Sequence, residues 1–107
     1  MKKRQLLLLL TLLFITYKGL AQQNYTISGY IRSSETGEAL IGATVQIKEL
    51  YKGVMANAYG FYSITLPGGK HSVQYSYMGN ISKTENIELT GNISKNVELQ
   101  QASVEIA

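Results

Sequence analysis

The feature that most constrains this chain is a strand fenced by two turns, Asn57-Ala58-Tyr59-Gly60 ahead of it and Pro67-Gly68-Gly69 behind it. Asn and Gly take up positive φ at little cost, so the backbone can reverse at the first. Pro donates no ladder hydrogen bond and the paired glycines favour a turn, so ordered pairing ends at the second. Between them Tyr62, Ile64 and Leu66 alternate with Phe61, Ser63 and Thr65. A period of two places the first set on one face of a strand and the second on the other. One short strand with one apolar face needs others to pack against it.

The rest of the chain supplies them. Tyr25 to Arg32 reads as a strand with Ile27, Gly29 and Ile31 inward and Ser28, Tyr30 and Arg32 outward. After the polar turn Ser33 to Glu38 comes a second, Ala43 to Glu49, with Ala43, Val45 and Ile47 inward. Leu50 to Gly53 reads as a turn, and Val54 to Asn57 as a short third strand. Phe61 to Leu66 is the fourth. Lys70 to Met78 follows, then Ile81 to Leu89 and Ile93 to Leu99. Gly79-Asn80-Ile81-Ser82-Lys83 recurs as Gly91-Asn92-Ile93-Ser94-Lys95. Two copies are too few for a solenoid, so the echo reads as two consecutive hairpin strands with similar turns. Seven short strands with regular turn signals predict an all-β sandwich.

The first 21 residues stand apart. Lys2, Lys3 and Arg4 precede an almost wholly apolar run from Leu6 to Ile15, and Gly19-Leu20-Ala21 offers small residues for cleavage after Ala21. That is the pattern of a cleaved signal peptide, and the run is shorter than the ~20 residues of a membrane-spanning helix. No Cys follows to carry a lipid anchor. Beyond residue 21, six basic residues face seven glutamates, a net charge of −1, so the formal charge of +3 belongs to the leader. No clustered basic surface remains for nucleic acid.

Chemistry has little to work with. The chain holds no Asp, no Cys and one His, His71. A Ser-His-Asp arrangement, a Cys nucleophile and a thiolate zinc site are therefore absent. His71, at a strand start, reads as a solvated surface residue, and the glutamates as scattered over outward positions. No catalytic residue, cofactor site or metal ligand is assigned.

The eight tyrosines are the most suggestive feature. Tyr62, Tyr75 and Tyr77 fall in core-facing slots with the hydroxyl at the rim. Tyr25, Tyr30, Tyr51 and Tyr59 fall on turns or outward positions, and Tyr30 and Tyr59 are the candidate binding surface. Asn24, Asn80 and Asn92 begin Asn-x-Ser/Thr triplets, glycosylation acceptors only in a eukaryotic secretory route.

Several segments in fixed order carry a resemblance. They are Ile27-Ser28-Gly29-Tyr30-Ile31, Thr36 to Val45, Lys52-Gly53-Val54, Asn57 to Tyr62, Leu66-Pro67-Gly68-Gly69 and Tyr75 to Gly79. Together, behind a signal peptide, they resemble a carboxypeptidase-regulatory-like (transthyretin-like) domain. The closer likeness is to the N-terminal extension of TonB-dependent outer-membrane receptors of the Bacteroidetes type. Asn57 stands where that family often has Asp, and Asn80 where it often has an aromatic.

The resemblance implies a seven-stranded Greek-key sandwich over residues 22–100, with 101–107 a linker toward a plug domain. It implies a non-catalytic periplasmic accessory domain, without cofactor. The partners it implies are a plug and barrel that import nutrients, with periplasmic energy-coupling proteins. On that reading the 107 residues are a fragment. The alternative is a stand-alone exported sandwich that binds glycan or protein through Tyr30 and Tyr59, and a peptidase appendage rests on the family name alone. Circular dichroism of residues 22–107 should give a β spectrum; a predominantly helical one would refute the sandwich.

Overall fold

The structure, a computed structural model, describes residues 2–18 and 23–103, with only the backbone given for 11–18. An α-helix, α1, covers Lys2–Lys18, and the sandwich follows. Its strands are β1 (Asn24–Ser33), β2 (Thr44–Ile47), β3 (Lys52–Met55), β4 (Phe61–Pro67), β5 (Gly69–Ser76), β6 (Lys83–Leu89), β7 (Ile93–Ser94) and β8 (Val97–Leu99). No helix among the described residues is long and apolar enough to cross a membrane. The expected cleavage point after Ala21, and the segment from Val104 onward, lie outside the described residues.

The eight strands form two sheets. One has the order β4-β1-β7, with β8 also paired to β1; the other has the order β3-β2-β5-β6. Strand β1 runs antiparallel to β4 and parallel to both β7 and β8. The expected inward faces are the core. Ile27, Ile31, Ala43, Val45, Ile47, Tyr62, Ile64, Leu66, Val73 and Tyr75 are all buried, joined by Leu89, Val97 and Leu99. All fifteen buried core residues among those described lie between Ile27 and Leu99, so the sandwich carries its whole core without α1. Burying a large aliphatic side chain is worth roughly 1.5–3 kcal/mol, which makes this shared core the main stabilising term.

Four expectations are corrected. The last expected strand, Ile93 to Leu99, is two, making eight strands rather than seven. It breaks at Lys95-Asn96 because Gly29 of β1 has no side chain: a Cβ there would lie 2.1 Å from the Lys95 carbonyl oxygen. The chain bulges into that space, and asparagine side chains replace backbone acceptors on either side. Thr26 N–H donates to Asn92 Oδ1 (2.9 Å) and Tyr30 N–H to Asn96 Oδ1 (3.0 Å). Second, the Gly-Asn-Ile-Ser-Lys echo is not a hairpin, because β6 pairs with β5 in one sheet and β7 with β1 in the other. Third, Lys52 and Gly53 lie in β3 rather than a turn. A 3-10 turn at Lys48–Leu50, closed by Tyr51 at φ 49°, shortens β2 and moves the reversal back. Fourth, Glu85 occupies the inner face of β6 and pairs with Lys95 (3.2 Å) and Lys83 (3.6 Å).

The fencing turn also acts differently from a hairpin. Strand β3 belongs to one sheet and β4 to the other, so Asn57 to Gly60 carries the chain across the sandwich. Asn57 Oδ1 accepts from Tyr59 N–H (2.9 Å) and Phe61 N–H (3.1 Å). Gly60 sits at φ +76°, and its carbonyl accepts from Ile31 N–H at 2.8 Å.

Beyond Leu99 the backbone stays tied down. Gln101 N–H donates to both Glu35 carboxylate oxygens (3.1 and 3.2 Å), and Ala102 N–H donates to the Gly79 carbonyl (2.9 Å). The Gln101 N–H is the main reason the Glu35 carboxyl is held below its ordinary value.

A Cβ at Gly60 would lie 2.8 Å from the Ile31 carbonyl and 2.9 Å from the Ala39 Cβ, whereas one at Gly37 (φ +72°) would meet nothing within 4 Å. Gly60→Val should therefore cost about 2 kcal/mol or more in urea denaturation, and Gly37→Ala only ~1 kcal/mol, the price of positive φ alone. Equal costs would refute the close approach at Gly60.

Candidate functional site

Tyr30 and Tyr59 come to the surface at the same end of the β4-β1 pair, by different routes. Tyr30 points outward from β1, directly across from Phe61 of β4. The two rings meet edge to face, with centroids 5.3 Å apart and planes at 66°. Two residues along β1, the Arg32 guanidinium lies 4.8 Å from the centre of the Tyr30 ring. That contact has cation–π geometry. The ion pairs among the described residues all use Glu85, and Arg32 has no carboxylate partner among them. Tyr59 projects from the turn that Asn57 holds and is 76% exposed, against 38% for Tyr30. Tyr30 meets Phe61 and Arg32 rather than Tyr59, so the two tyrosines flank a surface without touching.

The surface offers two aromatic faces and one cation. It can stack on a sugar ring or an apolar side chain and hold an anionic group. Arg32 shares an outward face with Tyr30 in the sequence pattern. The pairing of Tyr30 with Phe61 depends on cross-strand register, which the pattern does not give.

The other tyrosines divide by burial. Tyr51 is wholly exposed, Tyr77 is half-buried, and Tyr25, expected outward, packs against the core. Tyr62 and Tyr75 are buried down to their hydroxyls, which do not reach the rim. The hydroxyls lie 3.0 Å apart, and Tyr62 donates to the inward-turned Lys95 carbonyl at 2.6 Å. The rings pack edge to face at 5.5 Å. Burial pushes both phenols up from their ordinary value, and the Glu85 carboxylate adds to the rise.

His71, expected in solvent, is half-buried. Its Nε2–H donates to the Pro67 carbonyl (2.6 Å), while Nδ1 is buried without a hydrogen-bond partner. Among the described residues, no three His, Cys, Asp or Glu side chains come together as metal ligands. Patterning also did not reveal an uncharged groove of about 850 Å³, lined by Ile41, Thr44, Met55, Ser76, Tyr77 and Met78. Its components lie on separate loops and strands that only the sheet order brings together.

The chain belongs to the CarboxypepD_reg-like domain family, which matches residues 27–107. It is 28% identical over 83 residues to a TonB-dependent receptor of Formosa agariphila, a match covering 78% of this chain and 8% of that receptor. Two solved structures share the fold. A cohesin–X-dockerin complex from Acetivibrio cellulolyticus aligns with a TM-score of 0.58 at 22% identity, over 68% of this chain and 52% of the other. A DUF3823 family protein from Parabacteroides merdae aligns at 0.54 and 14% identity, over 76% and 48%.

The raised phenols give a pH signature. Unfolded tyrosines titrate near ~10 while the buried pair stays protonated, so its contribution is complete below pH ~10 and falls as pH rises beyond that. Denaturation curves from pH 8 to 11 should show this alkaline loss, and it should be smaller in Tyr75→Phe. An equal loss in the variant would exclude the pair as its source.

Proposed function

We propose that this chain is a non-catalytic accessory domain on the periplasmic side of a TonB-dependent outer-membrane receptor for nutrient uptake. The observation that carries this reading is the family match over nearly all of the sandwich, combined with the similarity to a small segment of a much longer receptor. The leader, positive at its start and apolar after it, supports export as a cleaved signal peptide over residues 1–21. On this reading residues 22–100 are the domain and 101–107 lead toward a plug and barrel. The ties from Gln101 to Glu35 and from Ala102 to Gly79 would set where that connection leaves the sandwich. The absence of Asp and Cys from the whole sequence supports a role in contact rather than catalysis.

The alternative is a free exported domain that binds glycan or protein. The exposure of Tyr59, and of Tyr30 beside Arg32, favours keeping it. Under either reading that surface is where a partner would meet the domain.

An antibody raised against residues 23–103 and applied to fractionated cells separates the two. The receptor reading expects a band in the outer-membrane fraction many times the 11.8 kDa of this chain. A band at or below that mass in the soluble periplasm would overturn it and leave the free binding domain.

A further inference from the structure

A sandwich of two open sheets has four edges, and each exposed edge can accept another strand. Three are closed by identifiable devices. On β4, Ile31 N–H bonds the Gly60 carbonyl, so by alternation Phe61, Ser63, Thr65 and Pro67 turn their backbone groups outward. Asn57 takes both groups of Phe61, through its own N–H and its Oδ1. The Lys52 ammonium donates to the Thr65 carbonyl. Pro67 has no N–H, and its carbonyl accepts a hydrogen bond from the His71 Nε2–H. Only Ser63 and the Thr65 N–H remain. The β7-β8 edge is broken by the bulge at Lys95-Asn96. On β6 the inner-face Glu85, bonded to Lys83 and Lys95, puts an ion pair along the flank that a further strand would have to desolvate.

Strand β3 has no such guard. Ala56 N–H donates to the Ala43 carbonyl, so Ala56, Val54 and Lys52 face β2, while Gly53 and Met55 turn N–H and C=O outward. The one charge on β3, Lys52, is spent on β4. Beside this edge lies the uncharged groove, with Ile41, Met55 and Met78 exposed at 57%, 69% and 93%.

We propose that this edge pairs with the same edge of a second copy of the chain, β3 against β3 antiparallel about Val54. The two outward residues complement themselves: Gly53 of each copy faces Met55 of the other, giving four ladder hydrogen bonds. Each exposed Met55 side chain then lies over a glycine that has no side chain to obstruct it. Lys52 falls opposite Ala56, so no like charges meet, and the groove residues carry none. A two-fold axis closes the contact at a dimer. This inference does not depend on the receptor reading.

The contact is small, under the ~1,200 Å² of standard interfaces, so association is expected between about 10 µM and 1 mM. Sedimentation velocity on residues 22–107, which hold the whole described core, should show the monomer giving way to dimer over that range. Met55→Lys, a change at an exposed position, should keep the β spectrum and remove the dimer. Amide exchange by NMR should show Gly53 and Met55 protected at high concentration and exposed at low, which decides the matter even if the variant fails to fold. A chain that stays monomeric at 1 mM, a dimer that persists in Met55→Lys, or one whose Gly53 and Met55 amides exchange as in the monomer would overturn the proposal.

Discussion

The fold turns on the missing side chain at Gly29. The Lys95 carbonyl occupies the space a Cβ there would need, and three contacts follow from that one approach. The carbonyl is aimed inward at the Tyr62 hydroxyl, which meets Tyr75 from the other sheet. The bulged backbone splits the last strand into β7 and β8. The Lys95 side chain reaches Glu85 on β6, across the gap between sheets. A buried tyrosine pair is tolerable only if its hydroxyls are satisfied, since an unpaired buried polar group costs about 1–3 kcal/mol. Gly29 thus lets a polar contact join the sheets at a place where packing alone would leave two stranded hydroxyls.

Nothing among the described residues gathers a nucleophile, a base and an orienting carboxylate. The surface instead divides into parts that repel further pairing and parts that invite it. Lys52, Asn57 and His71 occupy backbone groups of β4, and Pro67 offers no N–H, while Tyr30, Phe61 and Arg32 present flat faces and a charge nearby.

Much of this was legible in the sequence because a two-residue period reports directly on which side chains are inside. Ile27, Ile31, Val45, Ile47, Tyr62, Ile64, Leu66 and Val73 all stood in inward slots and are buried. What periodicity cannot carry is which strands are neighbours. The repeated Gly-Asn-Ile-Ser-Lys segments suggested a hairpin, yet their strands lie in different sheets, and in the second copy Asn92 serves as a side-chain acceptor for β1. The break at Lys95 was hidden because its cause is Gly29, far away in sequence. For the candidate site, Tyr30 and Tyr59 could be named from their outward and turn positions. Phe61 as the partner of Tyr30 needed the β1–β4 register, and the Ile41–Met55–Met78 groove needed the order of the second sheet.

The parallel pairing of β1 with β7 and β8 sets how the domain would answer tension. Asn24 and Leu99 stand at opposite ends of adjacent strands that run the same way. A pull applied between them slides one strand along the other, so the bonds joining them strain together, in shear. A hairpin pulled at its two ends opens one bond at a time, like a zip. This sandwich therefore has the geometry of a stiff link, one that passes a tug from end to end before it gives way.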